Sequence, residues 1–262
     1  MSEANVKKIN FHSNILNKDM GINVYIPKGY NANLLPILYF LHGRSGNEDI
    51  MFDLNINVKA DELIATGKIK PIIIVCPRIE NSRGINSSLI CKEVFSPGNS
   101  DIVINIGMYE DYFIKEVISL IENEFNTTKD RRSRYIGGVS AGGYAALHYA
   151  FRHQEMFSKV GGHMPAIELN LEEEDTPYFN DMSIWEKYDP ITIAKNNYIS
   201  KDIKIYLDAG NQDEGHFYDG CKILQNILEQ KGTISQNHIF IGHHSLEYVA
   251  SNLEKYLEFY SL

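Results

Sequence analysis

The sequence predicts an α/β protein, a doubly wound and mostly parallel sheet with helices on both faces and insertions on its rim. Three observations predict it. Residues 35–41 (LPILYFL) and 70–76 (KPIIIVC) are apolar runs of strand length, the composition of strands covered on both faces. Between and after them lie stretches in which apolar residues recur every three or four positions. Strand and helix then alternate to the end of the chain, which requires crossover connections between parallel strands.

Taken in order, residues 5–27 contain short β-type runs such as Ile22-Asn23-Val24-Tyr25-Ile26, ending at Pro27 and Gly29, and read as an opening antiparallel pair. Residues 58–69 read as a helix between the first two buried strands. From Asp111 the stripe Phe113, Ile114, Val117, Ile118, Ile121 and Phe125 marks a helix packed on a sheet. Residues 134–139 form a strand that leads into a helix from Ala141. Residues 204–207 form another, followed by a helix over 220–230, and 238–241 form the last. The final helix carries Leu246, Val249, Ala250, Leu253, Tyr256, Leu257 and Tyr260 on one face. Two stretches fall outside the alternation, 78–107 and 163–197, and read as rim insertions. The acidic run Glu172-Glu173-Glu174-Asp175 in the second reads as a solvated loop, because adjacent carboxylates do not converge on one ion. With no solenoid-length repeat and no linker, 1–262 reads as a single domain.

The 262 residues suffice for a sizeable core, and 44% apolar with 23% charged residues excludes disorder and a predominantly membranous protein. Lys and Arg total 25 against 34 Asp and Glu, a net charge of -9, which is the wrong sign for gathering nucleic acid or anionic lipid. Cys76, Cys91 and Cys221 are too few and too far apart for a disulfide framework or a CxxC site, and read as reduced thiols. The opening residues lead into no apolar signal region and no run approaches the length of a membrane span, so the expected location is cytoplasmic.

Gly138-Val139-Ser140-Ala141-Gly142 is G-x-S-x-G, placed between a strand and a helix. A nucleophile elbow needs small residues at both glycine positions, because the chain reverses sharply while neighbouring backbone crowds the serine. After the strand at 35–41 comes His42-Gly43-Arg44-Ser45-Gly46, where backbone N–H groups are free to face a ligand. The N–H groups of Arg44 and Ala141 are therefore the candidate oxyanion hole, and His42 reads as ordering the loop. An acid and then a histidine should follow on loops leaving later strands. Asp213 lies just beyond the strand near 203–208, in a better position to turn back than Asp208 or Glu214, for Asp208 sits at the strand end where a cap or backbone contact is the ordinary reading. After the last strand, His243 and His244 are both candidates, and Ser245 is placed to cap the final helix. Adjacent histidines do not project together as zinc ligands, which makes a zinc pair the weaker reading, and a serine–histidine–acid mechanism requires neither a metal nor an organic cofactor.

At these residues the chain resembles the "Putative esterase", or esterase D-like, family of α/β-hydrolases, which includes feruloyl and acetylxylan esterases and S-formylglutathione hydrolases. The likeness is densest at Val24-Tyr25-Ile26-Pro27, at Leu38-Tyr39-Phe40-Leu41-His42-Gly43, and from Phe113 through Gly138-Val139-Ser140-Ala141-Gly142-Gly143-Tyr144 to Phe157. Gly210-Asn211-Gln212-Asp213 resembles the family's G-x-x-D. Gly242-His243-His244 with Tyr248 resembles its G-x-H and following aromatic, which favours His244. Ala141 and Leu246 depart from residues common in the family, which bears on the acyl pocket, and the cysteine-containing loop of S-formylglutathione hydrolases is missing. The resemblance implies an α/β-hydrolase fold and a serine carboxylesterase using Ser140, His244 and Asp213 on small acyl or carbohydrate-linked esters. An acyltransferase with the same three residues and an inactive binding protein are the alternatives. Tyr178, Phe179, Trp185 and Tyr188 in the second insertion read as packing a lid rather than lining a groove.

Overall fold

The computed structural model describes residues 5–29 and 34–261, so the first four residues used in reading the N-terminus lie outside the described residues. β1 (Val6–Ser13) and β2 (Lys18–Tyr25) form the antiparallel opening pair. They are followed by β3 (Ile37–Leu41), β4 (Ile73–Pro77), the hairpin β5 (Lys92–Ser96) and β6 (Asn99–Ile106), and then β7 (Arg134–Val139), β8 (Lys159–His163), β9 (Lys204–Gly210) and β10 (Ser235–Phe240). Apart from the hairpin, these strands form one eight-stranded sheet in the order β1-β2-β4-β3-β7-β8-β9-β10, parallel from β4 to β10. From β3 the chain moves outward to β4 and then crosses to β7 on the other side. The order therefore reverses between β3 and β7, and in open α/β sheets the crevice at such a reversal, outside the carboxyl ends of the strands, is where ligands bind.

Alternation along the strands divides the interior in two. Ile37, Tyr39 and Leu41 of β3, with Ile73 and Val75 of β4, face one core, which is covered by residues 109–125 and by the helices Ala141–Arg152 and Phe217–Gln230. Leu38 and Phe40, with Ile74 and Cys76, face the other, covered by the helices Ile56–Ala65 and Leu246–Ser261. Both cores remove whole aliphatic side chains from water, at about 1.5–3 kcal/mol each.

Four elements differ from the sequence reading. β8 was not anticipated, because Lys159-Val160-Gly161-Gly162-His163 has a single aliphatic side chain and no apolar run. Its glycines are dictated by neighbours, for a Cβ at Gly161 would lie 2.1 Å from the Tyr260 hydroxyl and one at Gly162 would lie 2.9 Å from Leu147. The helix expected from Asp111 is interrupted by a π-helical stretch, Tyr112–Val117, before it resumes as Ile118–Glu124. The insertion 78–107 contains the β5–β6 hairpin, and 163–197 contains the short helices Thr176–Phe179, Met182–Tyr188 and Pro190–Asn196. The acidic run is not uniformly solvated, for Asp175 is fully buried. Tyr178, Phe179, Trp185 and Tyr188 are also buried, in a small cluster with Ile85, Ile104, Ile106 and Tyr144 that packs the two insertions together.

The cysteines form no disulfide. Among the described residues, no helix is long and apolar enough to cross a membrane, and no group of three or more His, Cys, Asp or Glu could hold a metal ion.

One buried ion cluster fixes a pH dependence. Glu110 accepts from Arg152 Nε at 2.8 Å and from Arg152 Nη2 at 3.2 Å, and its Oε1 lies 2.9 Å from His153 Nε2. Burial alone would raise its carboxyl, but these partners prevail and hold it at about 2. Its ionised form is therefore favoured by folding. That stability is complete above the unfolded value near pH 4.5 and is lost as pH falls towards 2. Glu110→Gln is expected to cost about 3 kcal/mol at pH 7 and much less near pH 2. Urea titrations of both proteins across that range measure the difference, and a constant difference would overturn the assignment.

Candidate active site

The switch point places the ends of β3 and β7 side by side, and the strand Arg134–Val139 runs directly into Ser140 and the helix Ala141–Arg152. Ser140 has φ 52° and ψ −118°, a conformation that costs a non-glycine residue of order 1–3 kcal/mol and is held only by its surroundings. Those surroundings are explicit. The Ser140 N–H donates to the His163 carbonyl at 3.1 Å, and the Ser140 carbonyl accepts from the N–H groups of Tyr144 and Ala166, both at 3.0 Å. Gly142 is pressed against the end of β3, where a Cβ would sit 2.3 Å from the His42 carbonyl oxygen and 2.5 Å from that of Leu41.

Three residues distant in sequence meet here. Ser140 Oγ lies 2.8 Å from His244 Nε2, and His244 Nδ1 lies 2.9 Å from Asp213 Oδ2. The consistent proton arrangement has Oγ–H donating to Nε2 and Nδ1–H donating to the carboxylate. The other carboxylate oxygen, Oδ1, accepts from the Gly215 N–H at 2.8 Å. The Asp213 side chain is wholly buried while that of His244 is 24% exposed, so the acid is shielded and the imidazole reaches the solvent side. The Phe217 ring packs edge-on against His244 at 5.1 Å between centroids and limits its rotation.

The rival candidates lie elsewhere. His243 is exposed, with Nδ1 2.7 Å from Glu214 Oε1, so this pair occupies the rim. Asp208 is fully buried, and among the described residues its side chain makes neither the cap nor the backbone contact that the sequence suggests. Its carboxylate is taken by Tyr248, Tyr256 and His163, and only its main-chain carbonyl accepts a loop amide, that of Met164. His42 is buried behind the β3 loop. Its Nε2 accepts from the Ile79 N–H at 2.9 Å and its Nδ1 donates to the Gly43 carbonyl at 2.8 Å. Burial pushes its imidazole down to about 4, so the ring is neutral and orders the turn. Ser245 caps the last helix through its hydroxyl, which accepts from the Tyr248 N–H at 3.3 Å.

Ser140 and His244 open onto a cleft of about 490 Å³ with a mixed lining. Ile50, Val139, Met164, Phe217 and Leu246 supply its apolar part. Arg44, Arg83, Glu168 and Glu174 bring charge to the lining. The Arg44 and Ala141 residues border the same space, and among the described residues neither N–H is used in a turn, loop or cap hydrogen bond. The Arg44 guanidinium pairs with Glu174 at 3.3 Å and Asp175 at 3.6 Å. Arg83, fully buried between the rings of Tyr144 and Tyr178, donates to both Glu168 and Asp175 at 2.6 Å. This chain of ion pairs joins the β3 loop to both insertions. It was invisible in the sequence, where Arg83 lies 92 residues from Asp175 and nothing in the spacing pairs them. A separate groove of about 600 Å³ along β10 and the last helix, lined by Tyr206, His238 and Phe259, contains no serine or cysteine nucleophile.

A doubly wound sheet whose strand-to-helix elbow presents a serine to a histidine and a buried carboxylate defines an α/β-hydrolase. The model of the family described as "Putative esterase" matches residues 13–260, and the chain belongs to that family. The chain is 30% identical over 171 residues to an endo-1,4-beta-xylanase/feruloyl esterase of Xylanibacter ruminicola, a match covering 62% of this chain and 22% of that protein. It is 29% identical over 162 residues to esterase Rv1288 of Mycobacterium tuberculosis, covering 61% of this chain and 32% of the relative. The chain thus spans about a fifth to a third of the length of these curated relatives. Among solved structures, a ferulic acid esterase superposes with a TM-score of 0.79 at 23% identity, covering 98% of this chain and 97% of the other. An S-formylglutathione hydrolase from Agrobacterium tumefaciens superposes with a TM-score of 0.78 at 16% identity, covering 98% and 94%. At these identities the superpositions establish the shared α/β-hydrolase fold.

Proposed function

We propose that the chain is a carboxylic-ester hydrolase that works through an acyl-enzyme on Ser140. His244 takes the Ser140 proton as Oγ attacks the ester carbonyl, and Asp213 keeps the imidazole in the right tautomer and stabilises it once protonated. His244 then returns the proton to the leaving alkoxide, and water, deprotonated by the same imidazole, releases the acid. The Arg44 and Ala141 N–H groups stabilise the oxyanion of each tetrahedral intermediate, where one lost donor typically costs about 2.7–4 kcal/mol. No metal or organic cofactor enters these steps. The observation that carries the reading is the Ser140–His244–Asp213 hydrogen-bond chain, 2.8 and 2.9 Å, at an open cleft.

The mixed lining suggests a division of the substrate. The apolar lining residues suit a small or aromatic acyl group such as acetyl, butyryl or feruloyl. Glu168, Glu174 and Arg44 offer acceptors and donors to a hydroxylated, sugar-like alcohol. The feruloyl esterase names among the relatives agree with such a substrate. The test is fluorophosphonate labelling, with the adduct mapped by peptide mass spectrometry, followed by a panel of acetyl, butyryl and feruloyl esters with and without sugar leaving groups. An adduct on Ser140 and turnover of at least one ester class support the reading. A protein that neither labels nor hydrolyses any ester refutes it.

Because the proposed donor at position 44 is main-chain, Arg44→Ala is expected to keep kcat on p-nitrophenyl butyrate within about 10-fold, well short of the 10²–10³-fold that loss of an oxyanion donor produces. Steady-state kinetics measure it, and a loss beyond 100-fold would give the side chain itself a role in the chemistry.

A further inference from the structure

The carboxylate of Asp208, at the end of β9, is fully buried and, among the described residues, has no lysine or arginine partner. Its Oδ2 accepts from the Tyr248 hydroxyl at 2.6 Å and the Tyr256 hydroxyl at 2.7 Å, while Oδ1 lies 3.2 Å from His163 Nδ1. The remaining His163 nitrogen lies 3.0 Å from the Tyr260 hydroxyl. Burial holds the His163 imidazole below its ordinary range, so the ring is neutral, with Nδ1–H donating to Asp208 and Nε2 accepting from Tyr260. Every bond of this unit is therefore satisfied without a cation.

The partners of this unit lead to the reacting groups. The His163 carbonyl is the acceptor for the Ser140 N–H, and the next residue, Met164, donates its N–H to the Asp208 carbonyl at 2.9 Å. On the opposite side, the Tyr248 ring lies against Gly242, where a Cβ would come within 2.6 Å of Tyr248 Cδ2. Gly242 begins the turn that carries His244, and its carbonyl accepts from the Gln212 N–H at 2.9 Å, next to Asp213. If these groups served only to dock the last helix, apolar residues of similar volume would do so at least as well, because a buried charge is weak evidence for stability.

We infer that Asp208 is a positioning residue. Through His163 it fixes the strand end that holds the Ser140 amide, and through Tyr248 it fixes the turn that presents His244, setting the distance between nucleophile and base. This inference rests on the reading of Ser140 and His244 as the reacting pair. Displacement of such a pair by about 1 Å costs roughly 100-fold in rate.

The experiment compares wild type, Asp208→Asn and Tyr248→Phe. It reads kcat and KM on p-nitrophenyl butyrate, with kcat normalised to fluorophosphonate-titrated active sites, the labelling rate constant, and the thermal midpoint. Expected is a fall in kcat per active site of about 10- to 100-fold for Asp208→Asn and about 10-fold for Tyr248→Phe, with KM within about 2-fold and labelling slowed in proportion. Should Asp208→Asn not fold, Tyr248→Phe decides alone, since it deletes one hydroxyl and leaves the carboxylate bonded to His163 and Tyr256. A lower thermal midpoint with unchanged kcat per active site would overturn the inference and leave a structural role, and so would a change confined to KM. A wild-type protein that does not label at Ser140 would remove the underlying reading and this inference with it, which separates the two failures.

Discussion

Ser140→Ala is expected to lower kcat on p-nitrophenyl butyrate by about 10⁴- to 10⁶-fold and to abolish fluorophosphonate labelling, while the protein still folds. The size of the effect follows from interdependence: without a hydroxyl, His244 has no proton to accept and Asp213 no imidazolium to stabilise, so the whole unit fails together. The elbow itself should survive. Alanine occupies φ 52° and ψ −118° with the same strain as serine, and the bonds holding that conformation run from the backbone of residue 140 to His163, Tyr144 and Ala166. The variant loses one partly buried hydrogen bond, to His244, of about 1 kcal/mol. Turnover that persists in a protein shown by mass spectrometry to carry alanine would place the nucleophile elsewhere.

Gly142→Ala should have a large effect on folding. The added Cβ would meet two main-chain oxygens, those of His42 and Leu41, at 2.3 and 2.5 Å. Neither atom has a side-chain rotation by which to withdraw, so β3 and the helix Ala141–Arg152 must separate. Forced repacking of this kind costs about 1–3 kcal/mol and occasionally more, and two backbone clashes put this case at or above the upper end. A thermal midpoint lower by about 6–12 °C is expected, for a loss near 3 kcal/mol at roughly 2–4 °C per kcal/mol. The same displacement moves Ala141 relative to Arg44, so activity should fall more than stability alone explains. Differential scanning calorimetry with kinetics at 20 °C checks both, and a variant matching wild type in each would show that the elbow has room to spare.

The parts of the fold legible in the sequence were those that bury apolar side chains. β3, β4 and the stripe from Phe113 announce themselves because removal from water requires runs or periodic apolar residues. β8 did not, because its place between β7 and β9 is set by how closely Tyr260 and Leu147 approach, and this selects glycine rather than hydrophobicity. At the site, Ser140 was legible from its two glycines, and Asp213 from its place after a strand. The choice between His243 and His244 was not open to spacing, since adjacent residues leave a turn in different directions; the resemblance to the family's G-x-H with its following aromatic favoured His244, and the three-dimensional path brings that ring to Ser140. Asp208 was weighed as a rival acid with a cap as its ordinary role. Its three hydrogen-bond partners come from β8 and the last helix, and no local pattern links them.

The pairing of Arg83 with Asp175 constrains how this protein's specificity can be altered. One partner belongs to the insertion 78–107 and the other to 163–197, and both are buried. Grafting a foreign segment in place of 163–197 alone would remove both carboxylate partners of the buried Arg83 guanidinium and strand its charge in the interior, at about 3–5 kcal/mol, a sizeable share of a typical domain's net stability. Replacing 78–107 alone leaves Asp175 with Arg44 at 3.6 Å. Recombination experiments that exchange substrate preference should therefore keep more of the native stability when both segments travel together than when 163–197 travels alone, so that the first insertion depends on the second for its neutral interior.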